Sequence, residues 1–229
     1  MPKKIRFIDC GANVGKAIDW AAKKYKDDLV RIDAFEPEYH NYTALLDKYL
    51  QDSELSQVLV IHTQAVWTQN TIKDFYIQAW GTRTGSSLLE EKEQAFKEGQ
   101  YVPMAYRDCM INLIDNPHFT TNPEDGGYYV NEDCALNSGN RITFPVQCID
   151  LSDWIIKNLN KKEHNILKID IEGAEYDLID KLLQTKAHEY IDEWLVEFTP
   201  KSKVPQNFNQ EVIDKFKSTV TKYVNWSDF

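Results

Sequence analysis

From its first residues the chain alternates short apolar runs with amphipathic ones. Ile5 to Asp9 is a brief apolar run that breaks at Gly11. Val14 to Tyr25 then carries Ile18, Ala21, Ala22 and Tyr25 at the spacing of one helix face. Leu29 to Phe35 predicts a second strand, Tyr42 to Leu50 a second helix with Leu45, Leu46, Tyr49 and Leu50 along one side, and Val58 to His62 a third strand. Strand, helix, strand at this rhythm predicts parallel βαβ units with right-handed crossovers, hence an α/β fold with a mostly parallel sheet.

After His62 the rhythm lapses. Asp74 to Gln78 predicts a short hairpin strand, and GTRTGSS, Gly81 to Ser87, a loop. From about Glu90 to Thr143 the chain is rich in Asn, Asp, Gly, Pro and Tyr. Its interleaved aromatics (Tyr101, Tyr106, Phe119, Tyr128, Tyr129) predict an ordered cap inserted into the fold. Alternation resumes with strands at Phe144 to Ile149 and Ile166 to Ile171 and a helix reaching about Leu183. A strand at Trp194 to Phe198, a helix at Gln210 to Val220 and a strand at Tyr223 to Trp226 complete the pattern. At 229 residues, one domain spanning 1–229 with an insertion at about 90–143 is the expectation.

Composition mainly excludes. A net charge of −10 argues against nucleic acid and against anionic membrane, both of which would repel the chain. Cys10, Cys109, Cys134 and Cys148 form no CxxC pair, which points away from zinc and disulfide frameworks and toward a reducing compartment. No apolar run approaches the roughly 20 residues of a membrane span. The first strand follows MPKK directly and leaves no room for a signal peptide, so a cytoplasmic protein is expected.

Two constellations carry candidate chemistry. FIDCGANVG, Phe7 to Gly15, puts Asp9 at a strand end and glycines in the turn to the next helix, where backbone can approach a ligand. The next strand ends in FEP, with Glu36 placed to accept ribose hydroxyls. The turn departs from GxGxxG, and a carboxylate at Asp9 suits a cation better than a pyrophosphate. S-adenosylmethionine (SAM) is therefore favoured over a dinucleotide.

The second constellation is LKIDIEGAEYDLI, Leu167 to Ile179. Period-2 geometry predicts Lys168, Asp170 and Glu172 on one side of a strand, stepping toward the carboxyl end of the sheet where α/β ligands bind. Asp170 is then a candidate general base with Glu172 as alternate, Lys168 keeps that carboxylate ionised, and Glu197 adds an acid at the next strand tip. A buried Lys168–Asp170 ion pair is the structural alternative. A divalent metal on Asp170 and Glu172 is not favoured, because no third ligand is evident. Asp177 reads as a helix-start charge; Glu175 divides evenly between that role and the site. Ser86 and Ser87 divide evenly between closing over the pocket and simple turn chemistry, Arg83 reads as a solvated surface residue ahead of an anion partner, and His62 reads as structural.

With these segments together the chain resembles FkbM-family methyltransferases. The resemblance rests on FIDCGANVG, AFEP (Ala34 to Pro37), GSSL (Gly85 to Leu88), VQCIDLSDWI (Val146 to Ile155) and, most specifically, the K-x-D-x-E-G-x-E pattern of Lys168 to Glu175. It implies a class I (Rossmann-like) methyltransferase fold and O-methylation of sugars or hydroxylated natural products, with S-adenosylhomocysteine (SAH) as product. Asp9, Gly11, Asn13 and Gly15 would serve the methionine end of SAM, Glu36 the ribose, and Gln64 to Val66, hence Ala65 and Val66, the adenine, with Ala12 and Pro37 also counted as cofactor-binding. The long insert departs from the family and is expected to cover the acceptor. The absence of a leading helix suggests a domain cut from a longer protein. The acceptor expected is a glycan or another hydroxylated small molecule, such as a polyketide or lipid headgroup. An idle SAM-binding interaction module is the alternative of a different class.

Overall fold

A computed structural model describes residues 4–76, 86–89 and 143–228, together with the backbone of 101–102, 119–121 and 128–130. Strands β1 (Ile5–Cys10), β2 (Leu29–Phe35) and β3 (Leu59–His62) alternate with helices α1 (Lys16–Tyr25) and α2 (Tyr39–Tyr49). β4 (Ala65–Trp67) and β5 (Thr71–Tyr76) follow. Within the insert lie the short strands β6 (Tyr101–Val102), β7 (Phe119–Thr121) and β8 (Tyr128–Val130), joined in the order β6-β8-β7. The chain then forms β9 (Thr143–Asp150), α3 (Leu151–Asn158), β10 (His164–Ile169), α4 (Glu175–Gln184), β11 (Glu193–Val196), α5 (Gln210–Thr219) and β12 (Tyr223–Asn225).

The central sheet has the order β12-β11-β10-β1-β2-β3, and every pairing in it is parallel. Helices cover both faces, giving the α/β class that the alternating pattern predicts. On one face Ile8, Cys10 and Phe35 pack with Leu151 and Ile155 of α3, Leu178 and Leu182 of α4, and Phe216 of α5. On the other, Phe7, Ile32 and Ile166 pack with Ile18 and Ala21 of α1 and Leu45 of α2. Because both faces are buried, the strands read as nearly continuous apolar runs. A second sheet, β4-β9-β5, packs Trp67, Phe75 and Val146 near the carboxyl end of the first. Among the described residues no helix is long and apolar enough to cross a membrane.

Several boundaries differ from the periodicity. α2 starts at Tyr39, three residues early, because the Glu38 side chain caps it by accepting the Asn41 N–H at 2.8 Å. α1 waits until Lys16 because Gly15 is left-handed, at φ +90°. β10 stops at Ile169 instead of Ile171, and β11 at Val196 instead of Phe198. α3, capped by Asp150, escapes the apolar pattern because it is only eight residues long. Most of the insert, and with it the cap assigned to it, lies outside the described residues, as does Arg83.

Candidate active site

The chain runs from β1 outward through β2 to β3, then returns to the other side of β1 as β10. Such a reversal opens a crevice at the carboxyl ends of the two diverging strands. A cleft open to solvent lies there. Gly11 and Asn13 from the β1 turn, Glu36 and Pro37 from β2, Ala65 and Val66 from β4, and Asp170 and Glu172 after β10 all line it. Of the predicted site residues, Asp9, Ala12, Gly15, Lys168 and Glu197 lie behind or beside these walls.

The glycine turn is built for chain packing. Gly11, at φ +86°, brings β1 so near β10 that an added Cβ would lie 2.1 Å from the Asp170 carbonyl oxygen. Gly15 is pressed likewise against the Tyr49 hydroxyl, at 2.3 Å. Four of the turn's N–H groups are committed inside the protein. Gly11 and Ala12 both donate to the Phe35 carbonyl, Asn13 to Glu36 and Gly15 to the Ala12 carbonyl. A pyrophosphate needs such donors free and aimed at it, so this turn suits a ligand without phosphate. Gly11→Ala is expected to cost about 2–4 kcal/mol of stability, from overpacking plus left-handed strain. Urea denaturation would show a lower midpoint at unchanged slope.

Glu36 is 4% exposed. Its Oε2 accepts the Asn13 N–H at 2.7 Å and its Oε1 the Glu38 N–H at 2.8 Å. Two backbone donors fix the carboxylate, and a second lone pair on each oxygen is left for hydroxyls of a ligand. Burial pushes the carboxyl up to about 7, against the downward pull of the two N–H donors.

A charge cluster lies behind the opposite wall. Asp9 and Lys168 are direct cross-strand partners on the α1 face. The Lys168 ammonium sits 3.1 Å from Asp9 Oδ1, 3.6 Å from Asp170 Oδ2 and donates to the Gly11 carbonyl at 2.7 Å. Burial alone would lower Lys168, but Asp9 and Asp170 outweigh it and raise it to about 12. For Asp9, fully buried, burial raises the carboxyl and Lys168 opposes that. Lys168 therefore does not touch the cleft. It ties the ends of β1 and β10 together and holds Asp170 by charge, sharing itself with Asp9 in a way the ion pair expected with Asp170 alone omits.

The predicted alternation breaks after Asp170. Glu172 is left-handed at φ +59°, so it reaches the cleft from a turn and not along a strand. Glu175 is fully buried, its carboxylate accepting the N–H groups of Ile171 and Gly173. Asp177 is exposed at the start of α4. Glu197 is half-buried at the tip of β11, where burial and the Asp170 charge raise its carboxyl. His62 stacks on Phe35 at 4.4 Å and pairs with Asp33 at 3.1 Å, supporting a cleft wall from below.

The family model of the methyltransferase FkbM domain matches residues 9–219, nearly the whole chain. The chain belongs to the FkbM methyltransferase family. Among solved structures, methyltransferase FkbM from Methylobacillus flagellatus KT is similar at 12% identity and a TM-score of 0.47. That likeness covers 94% of this chain and 37% of the other, so the chain spans well under half of that protein's length. No curated protein matches the sequence.

Residues that the sequence did not single out for the site also face the cleft. Phe35, Asn41, Phe75, Leu88 and Ile171 line the cleft. Asn41 was legible only as the third residue of a capped helix whose start the pattern placed too late. Ser86 lines the cleft, whereas the Ser87 hydroxyl donates to the Glu172 carbonyl at 2.7 Å. Among the described residues no group of three or more His, Cys, Asp or Glu side chains could hold a metal ion.

Proposed function

We propose that this FkbM domain binds SAM and transfers its methyl group to a hydroxyl of a sugar or glycan. The observation that carries the reading is one cleft lined by Glu36 and Asp170, which follow the strands on either side of β1, together with Phe35, Val66, Phe75 and Leu88. Glu36 fits a ribose diol, the aromatic and aliphatic walls fit adenine, and the acidic end fits a sulfonium. The committed N–H groups of the Gly11 turn disfavour a pyrophosphate. Bound SAM supplies an electrophilic methyl on a positively charged sulfur.

The chain's own residues do the rest. Glu36 orients the ligand from one end, so the reacting atoms need not find one another by diffusion. Asp170 accepts the proton of the acceptor hydroxyl as the new bond forms, since an alcohol does not ionise at neutral pH. Lys168 holds that carboxylate in place from behind, and the acceptor enters beside the Asp170–Glu172 end. An acceptor without fixed negative charge suits this acidic mouth. A panel of glycans and polyols incubated with methyl-labelled SAM tests the reading. Label on a glycan hydroxyl is expected. Transfer only to a polyketide or lipid headgroup would keep the chemistry and reject the sugar, and transfer to no hydroxyl would reject both.

The Glu36 environment also sets a pH dependence. Two ribose hydroxyls donate more strongly to the carboxylate than to the acid, which has lost an acceptor to its own proton, so binding below about pH 7 favours release of a proton from Glu36. SAM affinity is expected to rise up to about tenfold per pH unit until about 7 and level off above it. Calorimetry in buffers of different ionisation enthalpy would show proton release at pH 6 and little at pH 8.5. Glu36→Gln should remove that difference.

A further inference from the structure

We propose that Glu175 is a positioning residue that clamps the turn from Asp170 to Gly173 so that its two carboxylates face the cofactor sulfonium. This deepens the SAM reading and rests on it. The mechanism above gives Glu175 no task, yet the residue is fully buried one turn from the cleft. Its Oε1 accepts the Ile171 N–H at 3.0 Å, and both oxygens lie 3.0 Å from the Gly173 nitrogen. The Thr199 hydroxyl approaches Oε1 from the loop after β11, at 3.4 Å.

Other segments grip the same turn. The Ser87 hydroxyl donates to the Glu172 carbonyl and the Asn207 amide to the Gly173 carbonyl, each at 2.7 Å. Gly173, at φ +110°, has Val204 where a Cβ would lie, at 2.6 Å. Within this grip Glu172 adopts φ +59°, a conformation a side-chain-bearing residue holds only when its surroundings enforce it. The segments come from far apart in the chain and converge on the stretch that delivers Asp170 and Glu172 to the cleft. A helix start alone needs none of this, because Asp177 serves α4 from the surface.

The consequence is read without knowing the acceptor. SAM and SAH share ribose, adenine and amino-acid parts and differ in a methyl group and one positive charge. Carboxylates aimed at the sulfur favour SAM, and a relaxed turn forfeits part of that preference. Titration of the full chain with each ligand would give the ratio of the two dissociation constants. Glu175→Gln is expected to shift that ratio against SAM by at least about threefold while SAH affinity changes less than twofold. Ser87→Ala, which loosens the turn without touching Glu175, should move it the same way and guards against a Glu175 variant that fails to fold. Circular dichroism establishes folding in each case. Wild-type protein that binds neither ligand would reject the SAM reading and this inference with it. Wild-type protein that binds both, with the ratio unmoved in folded variants, would reject the role of Glu175 alone.

Discussion

Glu36→Ala is expected to weaken SAM binding by at least about a hundredfold while leaving a folded protein. Two ribose hydroxyls donating to one buried carboxylate contribute roughly 1.5–3 kcal/mol each, so their joint loss spans about two to four powers of ten. The fold tolerates the change because the substitution also removes a carboxylate that burial disfavours. The cost is two backbone donors, Asn13 and Glu38, left without their acceptor. Glu36→Gln keeps the shape, loses the charge and should fall between. Calorimetric titration measures the affinities and thermal melting the folding. Affinity within threefold of wild type for the alanine variant would remove Glu36 from the cofactor site.

Asp170→Asn is expected to lower turnover by about a hundredfold to ten-thousandfold, the usual range for removing a general base. The amide keeps the side chain's size but does not take the hydroxyl proton. SAM binding should weaken less than about tenfold, because Glu36 and the apolar walls are untouched. Lys168 keeps Asp9 as partner, so the buried ammonium is not stranded. Single-turnover assays with the acceptor found by methyl transfer would separate the chemical step from binding. Turnover within threefold of wild type would move the base to Glu172, which shares the cleft, or to Glu197 at the next strand tip.

How far the chain could be read from its letters follows from which forces are local. β1 and the turn at Gly11 were legible because an apolar run ending in glycine reports burial and a bend within a few residues, and β2 because its apolar run is closed by Pro37. Leu29–Phe35 comes out at its observed bounds. Glu36 was legible because a strand tip at this distance from the turn falls beside it in any βαβ unit. The Asp9–Lys168 pair was not, since register between β1 and β10 is settled by the packing of the whole sheet. Strand alternation extended past Ile169 places Glu172 with Asp170. The observed turn reaches the same cleft by another route, one imposed by Glu175, Ser87 and Asn207. The pattern KIDIEGAE thus separates into a buried tie, two cleft carboxylates and a buried clamp. Three-residue β4 was too short for any periodicity to mark.

Every role proposed for these residues requires that the cleft lined by Glu36 and Asp170 hold SAM. Isothermal titration of the purified chain with SAM and with SAH at pH 8 tests it most directly. One molecule of each bound per chain, with affinity lost in Glu36→Ala, is the predicted result. Heat indistinguishable from dilution for both ligands, in protein shown to be folded, would contradict it.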